Sequence, residues 1–198
     1  MQIRPEQLDA ALKRALCPIY LISGEETLRV NEACDSVVAA AREQGFSERS
    51  VHHVESGFSW HDLSHDAASL SLFAERKILD LRISATRFDK QASEALRAWT
   101  RGDSGNADVI LLIRTERLQA RQRSSAWFKA IEKVGAVVLI WPLSGEGMHQ
   151  WLAERLARRS LELTPDALAY LGERVEGNLL AAVQEVEKLA LQDLEQPI

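Results

Sequence analysis

The chain has 198 residues, of which 46% are hydrophobic and 27% charged, so it can bury a sizeable core and keep a solvated surface. No stretch approaches the roughly eighteen apolar residues that a membrane span needs, and residues 1–5 lack the apolar core of a signal peptide. A net charge of −5 argues against a protein that binds nucleic acid by itself, since such domains are usually basic. We therefore expect a cytoplasmic protein that does not bind membranes and that acts through protein partners.

Strand and helix signals alternate along the first 141 residues. Short apolar runs predict strands at residues 18–23, 50–54, 76–83, 108–113 and 136–141. Apolar residues at helical spacing predict helices between them, at residues 25–44, 61–70, 90–100 and 124–134. This alternation predicts an α/β domain with a mostly parallel sheet and helices on both faces.

The sequence changes character at a Pro/Gly cluster, residues 142–147. Beyond it the spacing of apolar residues predicts three helices and no strand, at residues 149–159, 165–175 and 178–192. Pro165 after Thr164 is a favourable helix start. We therefore predict an α/β domain at residues 1–141 and a small helical domain at residues 142–198. The chain ends without a polar tail, which suggests a fragment of a longer protein.

The first predicted strand ends in a glycine before a helix, which is where the phosphate-binding P-loop of a nucleotide-binding domain would lie. That loop requires the pattern G-x-x-x-x-G-K-[ST], whose lysine holds phosphate and whose hydroxyl holds Mg²⁺. Only Gly24 fits: Arg29 replaces the second glycine, Val30 the lysine and Asn31 the hydroxyl. The sequence therefore predicts a degenerate site that binds no nucleotide.

A second part of a nucleotide site is also missing. A metal-binding Walker B strand should end in an aspartate that holds Mg²⁺, but the run at 108–113 leads into Arg114. Glu25 and Glu26 stand where phosphate would enter and would repel it. We therefore expect no cofactor, no metal and no catalysis. A nucleotide-hydrolysing enzyme with an unusual loop is the alternative that these patterns disfavour.

Four parts of the sequence resemble the delta subunit of the bacterial replicative clamp loader. They are the segments at 18–26, at 69–79, at 107–114 with 126–128, and at 176–180 with 185–189. The resemblance covers essentially the whole chain and implies a P-loop NTPase-like fold of the AAA+ type followed by a helical lid domain. It implies a third loss of nucleotide equipment, since Leu179 and Leu180 stand where active relatives have a sensor arginine. The family has a third domain, a helical collar, which we expect this sequence to lack.

Residues 69–73, Ser-Leu-Ser-Leu-Phe, are similar to the bacterial clamp-binding peptide Gln-Leu-[Ser/Asp]-Leu-Phe, with Ser69 in place of glutamine. Exposed side chains of Leu70, Leu72 and Phe73 would fill a dry pocket on the clamp. The alternative is that these three are core residues at a helix end. Because the motif leaves a predicted helix inside a fold that matches elsewhere, we favour clamp binding.

The resemblance also implies partners and a role. The partners would be the sliding clamp (beta subunit) and the gamma/tau and delta prime subunits, with DNA contacted only indirectly within the complex. The role would be to bind and open the ring-shaped clamp as part of the DNA polymerase III holoenzyme, a DNA-directed DNA polymerase and nucleotidyltransferase. A rival is another ATP-inactive adaptor of a loader complex, which would lack an exposed Leu72–Phe73 pair.

Two further patterns are weak. His61 and His65, four residues apart on a predicted helix, could share a metal, but Asp62 is poorly placed as a general base. We expect both histidines to be ordinary surface residues. The second pattern is a basic run that consists of Arg114, Arg117, Arg121 and Arg123. These arginines could face DNA phosphate, but we expect them to form a solvated or ion-paired surface.

Overall fold

A computed structural model describes residues 1–69, 76–102, 108–143, 145–175, 177–192 and 196–198 of the chain. These residues form two compact units, Met1–Trp141 and Pro142–Ile198. Within the described ranges, no helix has both the length and the apolar character needed to cross a membrane.

Six strands of the described part of the first unit form one sheet, in the order β1-β6-β2-β5-β4-β3. Every neighbouring pair is parallel. The strands are β1 Gln2–Ile3, β2 Ile19–Gly24, β3 Glu48–Val54, β4 Lys77–Ile83, β5 Val109–Thr115 and β6 Ala136–Ile140. The predicted parallel α/β architecture is confirmed.

Helices cover both faces of this sheet, as predicted. They are α1 Leu8–Arg14, α2 Thr27–Glu43, α3 Trp60–Ala68, α4 Lys90–Arg101, α5 Ala120–Arg123 and α6 Ala126–Val134. Successive side chains along a strand point to opposite faces of the sheet and enter two different hydrophobic cores. In β2, Leu21 packs with α3, α4 and α6 on one face, whereas Ile22 packs with α1 and α2 on the other. All carboxyl ends of the strands lie at one edge because the strands are parallel.

The start of the chain contains elements that the sequence patterns did not predict. β1 has only two residues, too few to show a period, and a 3-10 turn at Pro5–Gln7 leads into α1. Helix α1 could have been found, since its buried Leu8 and Leu12 are four residues apart. The end predicted for the fourth strand was wrong by two residues, since β5 continues to Thr115 and includes Arg114.

The second unit is helical in its described part, with α7 Glu146–Arg158, α8 Pro165–Val175 and α9 Leu179–Ala190. Its interior contains Met148, Leu152, Leu156, Val175, Leu179, Ala182 and Val186. Helices α7 and α8 approach closely at Gly172, where a Cβ atom would lie 2.7 Å from the ring of His149. A side chain at position 172 would therefore displace the exposed ring of His149.

Candidate functional site

A cleft of about 280 Å³ lies at the carboxyl ends of β2, β4 and β5, beside the start of α2. This is the edge at which open parallel α/β sheets bind ligands. The described residues that line it are Gly24, Thr27, Val30, Asn31, Arg82, Ile83, Ser84, Arg114, Thr115 and Glu116. The cleft brings together four of the five residues predicted for a degenerate nucleotide site.

Arg114 is held at this cleft by two side chains. Its Nε and Nη2 donate to the two carboxylate oxygens of Asp80, at 3.1 and 2.9 Å, and its Nη1 donates to Oδ1 of Asn31 at 3.0 Å. Asp80 is fully buried and also accepts a hydrogen bond from Arg49 at 2.5 Å. Asn31 and Arg114, which the sequence patterns predicted at the positions of Mg²⁺ ligands, therefore contact each other.

Arg29 has a different environment. It is 9% exposed, and it is not among the described residues that line the cleft. Its Nη1 donates to the backbone oxygen of Trp141 at 2.9 Å, and its Nη2 pairs with Glu6 at 3.1 Å. The residue at the second glycine position therefore links α2 to the 3-10 turn and to the end of β6.

Gly24 is explained by packing rather than by phosphate. A Cβ atom there would lie 2.6 Å from the backbone oxygen of Ile140 and 2.8 Å from its Cβ. The close approach of β2 to β6 therefore excludes any side chain at this position. The one residue that fits the P-loop pattern is required by the sheet itself.

The predicted basic run does not form one surface. Arg114 pairs with the buried Asp80, whereas Arg117 and Arg123 lie over the ring of Trp141, at 5.0 and 5.3 Å from its centroid. Arg117 also pairs with Glu25 at 3.4 Å, and Arg121 is exposed. Three of the four arginines thus contact the protein's own side chains.

His61 and His65 are both exposed on α3. His61 lies 3.7 Å from Asp62, its neighbour in the chain. Among the residues that the structure describes, no group of three histidines, cysteines or carboxylates is arranged to hold a metal ion.

The predicted clamp-binding residues Leu70, Leu72 and Phe73 lie outside the described residues. The residues on either side of them are described. Ser69 donates its backbone N–H to His65 at 2.9 Å, and its hydroxyl donates to the backbone oxygen of Asp66 at 3.1 Å.

On the far side of this segment, Arg76 donates to the backbone oxygen of Gln44 at 2.7 Å. Its guanidinium also pairs with Asp108 at 3.3 Å and lies over the ring of Phe46 at 5.3 Å. Both flanks of the segment are therefore fixed to the α/β unit.

A cluster of four ionisable side chains lies beside this segment, and the sequence patterns did not reveal it. The ammonium group of Lys77, 3% exposed, lies 2.5 Å from Asp66 and 3.0 Å from Glu48. His52 Nε2 lies 2.8 Å from the other carboxylate oxygen of Asp66. The cluster joins α3 to the first residues of β3 and β4.

In this cluster, hydrogen bonds determine the direction in which the pKa values of Asp66 and Lys77 are shifted, against the effect of burial. Burial by itself would raise the pKa of Asp66, but hydrogen bonds from Lys77 and His52 lower that pKa below its ordinary value. Burial would likewise lower the pKa of Lys77, but hydrogen bonds to Asp66 and Glu48 raise it. The arrangement favours the charged forms of Lys77 and Asp66 near neutral pH.

Comparison with known proteins identifies a family for the chain. The family model described as DNA polymerase III, delta subunit, matches residues 20–140. The DNA polymerase III subunit delta of Escherichia coli (strain K12) is 30% identical over 96% of this chain and 55% of that protein. The corresponding Haemophilus influenzae protein is 26% identical over the same shares of the two chains. The chain thus spans about half the length of the curated relatives it matches.

Solved structures share the fold. The Bacillus subtilis DNA clamp loader delta protein superposes with a TM-score of 0.71 at 17% identity, over 94% of this chain and 57% of that one. A Thermotoga maritima RuvB mutant superposes with a TM-score of 0.55 at 14% identity, over 93% and 58%. These similarities confirm the predicted P-loop NTPase-like fold of the AAA+ type. Since the matching family model spans most of the α/β unit and more than half of the sequence, the chain belongs to the family of DNA polymerase III delta subunits.

Proposed function

We propose that this chain is the part of a clamp-loader delta subunit that binds and opens the ring-shaped sliding clamp for chromosomal DNA replication. The observation that carries the proposal is the family match over residues 20–140, a region that contains the motif at 69–73. The unit Met1–Trp141 is the degenerate P-loop-like domain, and Pro142–Ile198 is the helical lid.

The chain supplies no ATPase activity of its own in this proposal. Nucleotide with Mg²⁺ would have to enter a cleft at which Arg114 already pairs with the fully buried Asp80. Displacing Arg114 would leave Asp80 with only Arg49, and breaking a buried ion pair costs about 3–5 kcal/mol. Val30 stands where the P-loop has a lysine, so no cation at that position would bind phosphate and offset this cost.

Leu70, Leu72 and Phe73 are the clamp contacts. Apolar anchors that fill a desolvated pocket each contribute about 2 kcal/mol or more to binding. Binding of this kind stabilises whichever clamp conformation accepts it best, so an open clamp is favoured by a shift of population rather than by catalysis.

The proposed role as a clamp-loader delta subunit also implies the proteins with which the chain assembles. The chain acts in the cytoplasm with the sliding clamp (beta subunit) and with the gamma/tau and delta prime subunits. Polymerase activity belongs to the holoenzyme. Contact with DNA is indirect, in keeping with a net charge of −5 and with a basic run whose arginines contact Asp80, Glu25 and Trp141.

The proposal is tested by titrating the cognate clamp with the chain and with a Leu72→Ala/Phe73→Ala variant. Loss of two anchors should weaken binding by a factor of roughly 1,000, since each is worth about 2 kcal/mol and 1.4 kcal/mol is tenfold. A matched control is Tyr170→Ala/Leu180→Ala, which removes two exposed apolar side chains from the helical unit.

The control variant should bind the clamp like the wild type. Undiminished binding by the Leu72→Ala/Phe73→Ala variant, or no binding by the wild type, would contradict the proposed contact. The chain would then be better described as another ATP-inactive adaptor of a loader complex.

A further inference from the structure

The cleft at the carboxyl ends of β2, β4 and β5 is bordered by a buried carboxylate that has more cationic partners than its charge can balance. Asp80 pairs with two guanidinium groups, that of Arg49 at 2.5 Å and that of Arg114 at 2.9 Å. These three side chains together carry one net positive charge, and the two arginines are only 23% and 13% exposed. Because an unbalanced charge in a largely buried position costs free energy, the arrangement favours an anion nearby.

A further guanidinium group lies on the next strand. Arg82 is exposed, lines the cleft and is the register partner of Arg114, so the two side chains leave the sheet on the same face. In the described parts of the chain, the guanidinium group of Arg82 forms no ion pair and no hydrogen bond. Two like charges on adjacent strands repel each other unless an anion lies between them.

The nearby carboxylates do not remove this positive charge. Glu116 lines the cleft, but its Oε2 accepts a backbone N–H at 2.5 Å. Glu25 pairs with Arg117 at 3.4 Å, and neither Glu25 nor the exposed Asp35 is among the described residues that line the cleft. Even with Glu116 counted against Arg82, the net positive charge of the Asp80 group remains. The cleft can therefore accept one small anion.

Uncharged donors also line the cleft. Thr115 is 6% exposed, and among the described residues its buried hydroxyl oxygen has no hydrogen-bond partner. Buried polar groups in folded proteins nearly always have a partner in the protein, in water or in a ligand. Thr27 is the first residue of α2, a helix of 17 residues whose start has no side-chain cap. The positive end of that helix adds to the attraction for an anion.

We propose that the cleft binds a small oxyanion of the phosphate or sulfate class beside Arg82 and Arg114. The planar guanidinium group of Arg82 can donate to two oxygens of such an ion, while Arg114 keeps its hydrogen bonds to Asp80 and Asn31 and contributes charge. This inference goes beyond the proposed function, which requires only that the cleft bind no nucleotide. ATP with Mg²⁺ remains excluded, because both carboxylate oxygens of Asp80 already have partners.

The test titrates the chain with inorganic phosphate at low ionic strength and follows the NMR signals of the Arg82 Nε–H group and of the backbone amides of Ser84 and Thr115. We expect saturable shifts with a dissociation constant on the order of 1 mM. Arg82→Gln should weaken binding by roughly tenfold or more, since it removes hydrogen bonds between charged groups. Arg82 is exposed, so this variant should fold.

Arg87→Gln is the matched control. Arg87 is exposed in the 3-10 turn Ala85–Arg87 and is not among the described residues that line the cleft, so its loss changes the net charge equally. This variant should bind phosphate like the wild type. Sulfate should compete with phosphate for the cleft, whereas ATP with Mg²⁺ should not.

Three results would overturn the inference. Shifts that do not saturate, or an equal loss of binding in Arg82→Gln and Arg87→Gln, would indicate an adventitious ion only. Displacement of phosphate by ATP with Mg²⁺ would indicate a nucleotide site instead. The titration contains no clamp, so an absence of phosphate binding would leave the proposed clamp contact of Leu72 and Phe73 unaffected.

Discussion

At the scale of single residues, the side of the cleft that Arg114 lines depends on one buried carboxylate. Asp80 is fully buried, and its charge is balanced by Arg114 and Arg49, both of which are mostly buried. Sequence patterns placed Arg114 where a Mg²⁺-binding aspartate would be needed and predicted that it would oppose Mg²⁺ binding. They could not reveal Asp80, because its partners come from separate elements that meet only through the strand order.

Replacing Asp80 by alanine should therefore destabilise the α/β unit strongly. Two guanidinium groups would lose their shared carboxylate, and leaving a buried charge without its partner costs about 3–5 kcal/mol. The free energy of unfolding in urea measures this cost. Asp35→Ala, on the exposed side of α2, is the control and should change stability by less than about 1 kcal/mol. A similarly small effect of Asp80→Ala would contradict the importance of the pair.

At the scale of secondary structure, most elements could be predicted because their apolar residues repeat with a helical or strand period. The strand that carries Glu48 was predicted to begin at residue 50, since its first two residues, Glu48 and Arg49, are charged. Those two residues pair with Lys77 and Asp80. The charged residues that concealed the start of β3 from pattern analysis thus add ion pairs to the backbone pairing between β3 and β4.

The docking of α3 on the sheet should depend on pH through Asp66. Its pKa is lowered by hydrogen bonds in the folded chain, so its contribution to stability is present above the unfolded pKa of about 3.9. That contribution is lost as the pH falls through the lower folded value. The difference in unfolding free energy between wild type and Asp66→Asn should therefore shrink between pH 7 and pH 3. A difference that stays the same or grows on acidification would contradict the sign of this shift.

At the scale of the whole molecule, the chain has a P-loop NTPase-like fold, and three of the residues predicted for a degenerate nucleotide site take part in packing or ion pairs. Gly24 accommodates β6, Arg29 links α2 to the chain start, and Arg114 neutralises Asp80. The fold class could be predicted from alternating strand and helix signals, and the family from its motifs. The Lys77 cluster could not, since four side chains from α3, β3 and β4 meet only after folding.

The most direct test of the central claim is the affinity of the chain for its cognate sliding clamp, measured with and without ATP and Mg²⁺. A clamp-binding subunit whose own cleft takes no nucleotide should give the same dissociation constant in both conditions. Calorimetric titration of the chain with ATP and Mg²⁺ alone should give no binding heat. A clamp affinity that requires ATP in the isolated chain, together with measurable ATP binding, would contradict the account.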